Sequence, residues 1–378
     1  MKRKIMVVLG LAAAVSMLSI SLVHAMESSA NVETLAGTGS HGTDDGMATQ
    51  FNLPLGIASG PDGEILVADT FNSLIRTIDV NWLVSTLNLH FPEHDASGFP
   101  IGHHIDREIA GAFFNRPSGF AESRGWVFVA DTHNHSIRVI IGDRVYTMAG
   151  AFYYGFADGA RLEARFSYPS AVAVCQRGYV YVADTGNHAI RRIDHLGNVT
   201  TIAGTPGEYG YLNGEAASAM FDSPTGLVFC DDGRLFIADT GNHVIRVIED
   251  GVVSTFAGSR TTLEGEDNDE WDDLPIGGFL DGDASEALFN RPMGLALWGD
   301  VLFVADSGNH VARAVVEGAG VITIAGMGYP GHMDGDFADA AFFLPSGLYV
   351  FGDMLLVADT GNNMIRRIDL LAVIALLE

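Results

Sequence analysis

Lysine is nearly absent from this chain of 378 residues, and its two copies, Lys2 and Lys4, lie at the extreme N-terminus. Together with Arg3 they are three of the 21 basic residues, so 18 remain against 47 acidic residues. Such an acidic surface repels nucleic acid and anionic lipid, and we expect no nucleic-acid partner. The acidic excess mainly indicates solubility, with a cationic partner or a salty habitat as alternatives.

Cysteine is equally scarce, and several catalytic motifs are missing. Two cysteines, Cys175 and Cys230, are too few for the cysteine clusters of structural zinc sites. The sequence contains no Gly-x-Ser-x-Gly nucleophile elbow and no phosphate-binding loop. These absences exclude the enzymes that such motifs identify, but an enzyme without them remains open.

A long hydrophobic run occurs only at the N-terminus. Residues 5–23 are apolar, follow the basic residues 2–4 and precede a small-residue cleavage site at Val23-His24-Ala25. This pattern predicts a signal peptide over residues 1–25 and a mature domain over 26–378, secreted or on the exterior of the cell envelope. An uncleaved anchor is the alternative, because the run borders on membrane-spanning length. After cleavage we expect no integral membrane protein.

Glycine, by contrast, is abundant at 45 residues, and the chain contains a sixfold repeat. The segment VADTGNHAIRRID, which starts at Val182, is typical of six matching segments. A proline and an apolar run precede each segment, and a short run ending in Ala-Gly follows four of them. The aspartates at the repeated position are Asp69, Asp131, Asp184, Asp239, Asp306 and Asp359.

Each repeat predicts four short β-strands. In the third repeat these are residues 171–175, 179–184, 188–193 and 199–203, rich in Val, Ile and Tyr and separated by turn residues. Six such units without a helical period predict an all-β, six-bladed β-propeller with four antiparallel strands per blade. The blades are expected near residues 52–88, 115–150, 168–204, 223–258, 291–326 and 344–369.

The ring also needs a strand that closes its last blade. Residues 32–37 look like an outermost strand with no companions before it, so we expect them to complete the blade that contains Asp359. The apolar residues 370–377 are a rival for the same place. We also expect the protein to be a monomer.

The string VADTGNHAIR, from Val182 to Arg191, resembles the NHL repeat. The chain is also similar to bacterial secreted NHL proteins, whose blades are joined by Asp-Gly loops followed by Phe-x-x-Pro. Here the loops are Asp45-Gly46, Asp158-Gly159, Asn213-Gly214, Asp281-Gly282 and Asp334-Gly335. The resemblance covers about residues 32–369 and implies the fold alone, because NHL proteins include lyases, receptor sensor domains and binding modules.

The repeated polar residues are expected to be structural, since a catalytic group is not needed six times. Each repeated aspartate should accept hydrogen bonds from backbone N–H groups of its own turn. The arginine that follows on the third strand should tie blades together through carboxylates or carbonyls. His135, His188, His243 and His310 share one repeated position, and equivalent positions lie too far apart around a ring to form one zinc site.

Two loops could hold a cation, although a solvated loop is the expectation for both. His90, His94, His103 and His104 lie between the first two blades with Glu93, Asp95 and Asp106 nearby. Residues 264–273 (EGEDNDEWDD) are acidic but lack the ordered pattern of a calcium loop. We therefore expect no cofactor, with a loosely bound divalent cation as the alternative.

Cys175 and Cys230 occupy equivalent positions in neighbouring repeats, each nine residues before its aspartate. A disulfide needs Cα atoms within about 7 Å, and equivalent strands diverge away from the axis. An exported protein could still oxidise them. The expectation is two buried small residues, with a bridge as the alternative.

The predicted ligand site is the mouth of the central channel, on the face that carries the Asp-Gly loops. The residue directly before the proline varies among the repeats, whereas a purely structural ring should repeat its residue type. An asymmetric ligand needs such variation, and arginines on an acidic protein suggest a carboxylate or another anion. The predicted site residues are Asn115, Arg116, Tyr168, Asp222, Ser223, Asn290 and Arg291.

The sequence thus favours an extracellular, non-enzymatic scaffold that binds a protein or a small anionic ligand and has no catalytic residues. A metal-dependent lyase or lactone hydrolase in the central channel is the first alternative. It would require an unrepeated set of His or carboxylate residues that point into the channel. A structural module of the cell envelope is the second alternative.

Overall fold

The computed structural model describes residues 31–88, 106–262 and 275–377. These residues form six antiparallel sheets of four main strands arranged in a ring, which confirms the predicted six-bladed β-propeller. The predicted signal peptide, the histidine-rich loop with Glu93 and Asp95, and the acidic residues 264–273 lie outside the described residues. In the described part, no helix is both long and apolar enough to span a membrane.

Each blade runs outward from the axis through four strands. The innermost strands are Ile57–Ser59, Pro117–Ser123, Pro169–Val174, Pro224–Phe229, Pro292–Trp298 and Pro345–Phe351. The second strands are Ile65–Asp69, Trp126–Asp131, Val180–Asp184, Leu235–Asp239, Val301–Asp306 and Met354–Asp359. The third strands are Leu74–Ile78, Ser136–Ile141, Ala189–Ile193, Val244–Glu249, Val311–Val316 and Met364–Asp369. The outermost strands are Val84–Thr86, Arg144–Ala149, Val199–Ala203, Val252–Ala257, Gly320–Ala325 and, in the sixth blade, Val32–Ala36.

Short elements complete the ring. Arg107–Glu108 and Gly214–Glu215 pair with the outermost strands of blades 2 and 4, and Thr261–Thr262 pairs with Pro275–Ile276. A 3-10 turn follows Glu108 at Ile109–Gly111. In every blade a 3-10 turn joins the second and third strands, at Thr70–Asn72, Thr132–Asn134, Thr185–Asn187, Thr240–Asn242, Ser307–Asn309 and Thr360–Asn362.

The N-terminal strand closes the ring. Val32 lies opposite Ile368 and Glu33 opposite Arg367, so the sixth blade takes its outermost strand from the other end of the described chain. The rival closing segment is wrong, because Leu370–Leu377 forms an α-helix. Its residues Leu370 and Val373 are buried in the apolar cluster between blades 5 and 6.

The core consists of apolar layers between adjacent blades. Ala130 and Ile137 of blade 2, for example, are buried against Val172 and Val182 of blade 3. The β-branched and small residues of the repeats supply both sides of such a layer, since each sheet is covered on both faces. The two cysteines form no bridge, and Cys175 is buried whereas Cys230 is partly exposed.

Glycine brings the innermost strands together around the axis. A Cβ atom on Gly226 would lie 1.9 Å from the carbonyl oxygen of Met293 in the next blade, and one on Gly294 would lie 2.0 Å from that of Ser346. Only a residue without a side chain permits this approach. Blade 3 differs, with Ala171 at the equivalent position, so the ring is not perfectly sixfold.

Candidate functional site

One face of the ring carries both the loops between blades and the 3-10 turns, and we call it the Asp-Gly face. The register places Pro169, where the innermost strand begins, opposite Asp184, where the second strand ends. The chain therefore enters each blade next to the turn that holds the repeated aspartate. Every predicted ligand residue lies in this entry segment, directly before a proline or two positions before it.

The repeated aspartate fixes the entry segment. One Asp184 oxygen accepts the backbone N–H of Ser167 at 2.7 Å, and the other accepts hydrogen bonds from Asn187 at 2.8 Å and Arg191 at 2.6 Å. The expectation that the aspartate caps its own turn was therefore wrong. The 3-10 turn bonds its own backbone, from the His188 N–H to the Thr185 carbonyl, and leaves the carboxylate for the entry segment.

The buried arginine ties this aspartate to the loop between blades. Arg191 donates to Asp158 of the Asp-Gly loop at 2.6 Å and to the carbonyl of Ala157 at 2.8 Å, while its guanidinium lies over the Phe166 ring. Both Asp184 and Arg191 are fully buried. Desolvation raises the pKa of Asp184 to about 6, and the Arg191 charge opposes the rise. The six aspartates and their arginines are thus committed to the fold.

Asp106 takes the same structural place in blade 2, where an Asp-Gly loop is missing. It accepts hydrogen bonds from the backbone and hydroxyl of Thr147 at 2.7 and 2.8 Å and lies 3.5 Å from Arg138. Asp158 binds Thr201 and Arg191 in the same way in blade 3. Asp106 is therefore engaged with its own blade, while the histidines predicted near it lie outside the described residues.

The repeated histidines latch each blade to the next. Nδ1 of His135 accepts the backbone N–H of Tyr168 at 3.2 Å, and Nδ1 of His188 accepts that of Ser223 at 3.0 Å. His243 and His310 accept the backbone N–H groups of Arg291 and Leu344 in the same way. At the two remaining junctions, the Ser73 hydroxyl accepts the backbone N–H of Arg116, and the Asn363 amide oxygen accepts that of Leu53. Each of the six junctions between blades therefore has one such hydrogen bond, which we call the latch. The acceptor is a histidine ring in four junctions.

These imidazoles do not converge on a metal. In residues 31–88, 106–262 and 275–377, no three His, Cys, Asp or Glu side chains lie close enough together to hold a metal ion. Burial lowers the pKa of His135, His243 and His310, and for His243 the Arg291 charge lowers it further. The neutral ring is the form that can accept a hydrogen bond at Nδ1.

The central channel is narrow and uncharged. It holds a cavity of about 110 Å³, lined by three residues from each blade, such as Leu55, Gly56 and Ile57 of the first. No ionisable side chain is among the described residues that line it. A His or carboxylate set of the kind that a channel lyase needs is therefore not formed by this part of the chain.

The six residues before the prolines share one backbone conformation but have side chains of four types. All six adopt the left-handed conformation, with φ between 47° for Leu53 and 52° for Arg291 and Leu344. This conformation costs a residue with a side chain roughly 1–2 kcal/mol, so the aspartates and latches must hold it in place. The remaining members are Arg116, Tyr168 and Ser223.

The residues two positions before the prolines have a mainly structural role. The backbone N–H groups of Asn115, Asp222 and Asn290 each donate to the repeated aspartate of their own blade. The Asp222 carboxylate also accepts the Ser223 hydroxyl at 2.9 Å. It lies 3.5 Å from His188, whose Nδ1 already accepts the nearer Ser223 N–H. The Asp222 and Asn290 side chains lie beside the turn glycines Gly241 and Gly308 of their own blades.

The structure brings only some of the predicted ligand residues together. Arg116 and Tyr168 are neighbours across His133, whose ring centroid lies 5.2 Å from that of Tyr168. The guanidinium of Arg116 lies 4.4 Å from the ring centroid of Phe71. Arg291 belongs to blade 5, three blades away from Arg116 in blade 2, so the two arginines lie on opposite sides of the ring.

Exposed aromatic residues on the same face were missed by the sequence argument. Phe152, Tyr153, Tyr154, Tyr209 and Tyr329 stand in loops between blades and are between 45% and 69% exposed. The signal was the run Phe152-Tyr153-Tyr154 directly after Ala149-Gly150, where a loop of small and polar residues would be ordinary. Large exposed aromatic residues are common at interaction surfaces, and Trp126 and Trp298 are exposed on the opposite face.

Comparison with known proteins agrees with this architecture. The chain is 32% identical over 278 residues to SUPPRESSOR OF QUENCHING 1 of Arabidopsis thaliana, covering 70% of this chain and 26% of that protein. It is 30% identical over 295 residues to human NHL repeat-containing protein 2, covering 68% of this chain and 39% of that one. The chain thus spans well under half of either curated relative.

Among solved structures, an auxiliary nutrient binding protein of Bacteroides thetaiotaomicron superposes with a TM-score of 0.65 at 14% identity. The match covers 89% of this chain and 75% of that one, and at this identity it shows the fold alone. The NHL repeat model matches residues 166–193 and 221–248, which cover the first three strands of blades 3 and 4. The chain therefore belongs to the NHL-repeat family.

Proposed function

We propose that this protein is an extracellular, non-enzymatic binding scaffold, and that it binds a protein or a small anionic ligand at the channel mouth on the Asp-Gly face. The observation that carries the proposal is the ring before the prolines. All six residues of this ring have the left-handed backbone conformation, but their side chains are of four types: Leu53, Arg116, Tyr168, Ser223, Arg291 and Leu344.

The contrast between constant backbone and variable side chain separates structure from function. The aspartates, arginines and latches around the ring repeat because they hold the blades together. Side chains that the repeat presents at fixed points, but does not specify, are free to match an asymmetric partner. Arg116 and Arg291 place positive charge at two of these points, and cations on an acidic surface attract anions.

The aromatic surface supports a binding role for the same face. Tyr and Phe side chains supply much of the binding energy at protein interfaces and pack against planar ligand groups. The narrow, uncharged channel cannot hold a ligand of ordinary size, since such sites are usually larger than about 300 Å³. A ligand is therefore expected at the rim. The extracellular location rests on the predicted signal peptide.

Ligand screening with a charge-removal variant tests the proposal. The wild-type protein and the Arg116→Ala/Arg291→Ala variant would be screened against small carboxylates, sulfates and phosphates by thermal shift, and hits measured by calorimetry. We expect at least one anion whose Kd rises about tenfold or more in the variant, which is the usual effect of losing a charge-assisted contact.

A matched control uses the same backbone positions without charge. The Leu53→Ala/Leu344→Ala variant removes two side chains from the same ring and should bind the hits with wild-type affinity. Equal affinity of the wild type and the arginine variant for every anion that binds would overturn the proposal.

A further inference from the structure

Blades 3 and 6 each carry a second arginine on the third strand, directly after the buried arginine of the repeat. The register places Arg192 of blade 3 opposite Thr200, and Arg367 of blade 6 opposite Glu33, on the outermost strand. The two arginines therefore occupy the same position of the repeat, with a hydroxyl across from one and a carboxylate across from the other. The other four blades have Thr77, Val139, Val247 and Ala314 at this position.

In blade 6 this arginine has a carboxylate partner from its own blade. The Nε of Arg367 donates to Glu33 at 2.9 Å, and a terminal nitrogen of Arg367 donates to the same carboxylate. The other terminal nitrogen lies 4.0 Å from the sulfur of Met354 on the second strand. The ion pair shows that the repeat can hold a carboxylate against an arginine at this position.

In blade 3 the corresponding arginine has no such partner. The guanidinium carbon of Arg192 lies 5.0 Å from the ring centroid of Tyr179, the residue that corresponds to Met354, so both arginines extend toward the same neighbour. Arg192 makes no hydrogen bond and no ion pair with the part of the chain that the structure describes. Its Nε is buried there without an acceptor, and such donors are costly, so an anion at this position would stabilise the site.

A cavity of about 210 Å³ lies between blades 3 and 4, and Arg192 is among the residues that line it. The rings of Tyr181 from blade 3 and Phe229 from blade 4 stack in its wall, with centroids 5.1 Å apart and an interplanar angle of 24°. Gly233 and Gly251, in turns of blade 4, also line it. The cavity therefore lies on the face opposite the Asp-Gly face.

The corresponding layer between blades 6 and 1 is filled by the protein itself. There Trp82, in the turn before the outermost strand of blade 1, packs against the apolar cluster that the two blades share. Blade 4 instead has the short turn Asp250-Gly251, with φ of 48° and 78°, which supplies no large side chain. The layer between blades 3 and 4 thus lacks both the carboxylate of Glu33 and the ring of Trp82.

We propose that the cavity between blades 3 and 4 binds small aromatic monocarboxylates, with the carboxylate against Arg192 and the ring against Tyr181 and Phe229. Such a ligand supplies from outside the charge and the ring that Glu33 and Trp82 supply between blades 6 and 1. This site is separate from the channel mouth and lies on the other face of the ring.

The size and charge of the cavity narrow the ligand class further. Its volume of about 210 Å³ is below the roughly 300 Å³ at which pockets for drug-sized ligands begin, so the ligand must be small. Asp250 lines the cavity together with Arg192 and disfavours a second negative charge on the ligand. A monocarboxylate therefore fits better than a dicarboxylate or a doubly charged phosphate.

Matched probes separate the elements of recognition. Indole-3-acetate combines a carboxylate with the ring type of Trp82, indole-3-acetamide lacks the charge and acetate lacks the ring. Calorimetry with the wild-type protein should show indole-3-acetate bound at least tenfold more tightly than either of the other two. Equal affinity for indole-3-acetate and its amide, or no measurable binding of either indole-3-acetate or phenylacetate, overturns the inference.

Blade 6 suggests the variant that locates the site. Thr200→Glu gives Arg192 the carboxylate partner that Arg367 has, and Thr200 is exposed, so the fold should be retained by circular dichroism. Thr200→Glu and Arg192→Gln should each weaken indole-3-acetate binding about tenfold or more. Wild-type affinity in Arg192→Gln overturns the inference, and Thr200→Glu provides the decision if Arg192→Gln does not fold.

Thr200→Gln is the matched control, because it adds a side chain of similar size without the charge. It should bind indole-3-acetate at least tenfold more tightly than Thr200→Glu, and equal affinities of these two variants would contradict a role for the Arg192 charge. The Arg116→Ala/Arg291→Ala variant should bind indole-3-acetate as the wild type does. If it alone loses binding, the cavity inference is wrong and the ligand belongs to the channel mouth.

Discussion

At the scale of single residues, the fold depends on charges that are removed from water. Asp184 and Arg191 are fully buried, and desolvation of either charge alone would cost several kcal/mol. Together with Asn187 and the entry segment they satisfy most of each other's hydrogen-bonding groups. Such a network contributes mainly through the penalty of breaking it, because a single loss leaves the partner uncompensated.

Asp184→Ala is therefore expected to lower the free energy of unfolding by about 3–5 kcal/mol. This is the usual cost of removing one member of a buried ion pair, because the other charge stays buried without its partner. Chemical denaturation of the wild type and the variant measures this difference. Asp300→Ala, at an exposed turn position, is the control and should change stability by less than about 0.5 kcal/mol. A variant with wild-type stability that has lost ligand binding would instead make Asp184 a functional residue.

The buried role of these residues could be predicted from the sequence, because sixfold repetition of an Asp and an Arg points to structure. The hydrogen-bond partner of the aspartate in the entry segment could not be predicted from the sequence. A turn next to an aspartate suggests a local cap, whereas the Ser167 N–H that it accepts lies 17 positions earlier in the chain. Contacts of that separation depend on strand register, which a single sequence does not specify at this detail.

At the scale of elements, the histidine latches join the turn of one blade to the entry segment of the next. Each is a single hydrogen bond to a backbone N–H held in the left-handed conformation. Asn363 makes the same latch in blade 6 with an amide oxygen and adopts the same conformation, at a φ of 54°. The protein thus contains both a titratable and a non-titratable version of one contact.

The titratable latches should make the stability of the protein fall in mild acid. Because burial lowers the pKa of His135, His243 and His310, the folded state binds fewer protons than the unfolded state, in which these residues titrate near 6.5. Their contribution is complete above about pH 6.5 and is lost as the pH falls through the lowered values. Tyr154, Tyr168, Arg291, Asp222 and Phe343 are the groups around these rings.

Replacing the three histidines with asparagine, as blade 6 has at this position, should remove part of this acid sensitivity. Denaturation of the wild type and the His135→Asn/His243→Asn/His310→Asn variant would be compared at pH 7.5 and pH 5. We expect a smaller loss of stability in the variant, by about 1 kcal/mol or more. Identical losses in the two proteins would show that other groups govern the acid response.

At the scale of the whole molecule, stability depends on closing a ring of six separate sheets. Val32 pairs with Ile368, and its carbonyl and N–H also bond to Gly335, so the N-terminal strand covers the edge of blade 6. Without it, the third strand of that blade would expose unpaired backbone groups and the apolar layer between blades 5 and 6. No other strand of the ring would pair with these exposed backbone groups.

Deletion of residues 26–38 is accordingly expected to lower the unfolding midpoint by several degrees or more, since it removes an entire strand. Differential scanning calorimetry measures the shift. Deletion of residues 26–30 alone is the control, because it leaves the strand Val32–Ala36 in place. An unchanged midpoint after the longer deletion would mean that Leu370–Leu377 can close the ring instead.

The architecture could be predicted because the repeat is written six times in the sequence, and the closing strand because it is an orphan copy of one element. The surroundings of the predicted ligand residues could be predicted only in part. Arg116 and Tyr168 stood out as variable residues, but Phe71 and His133 did not, since their positions relative to the mouth follow from how neighbouring turns pack.

The central claim, that ligand binds at the channel mouth on the Asp-Gly face, is tested most directly by hydrogen–deuterium exchange with and without the tightest anion from the screen. The account predicts that protection increases at the entry segments around residues 115–117, 167–169, 222–224 and 290–292. Protection confined to the turns of the opposite face, or to segments away from every entry segment, would contradict it.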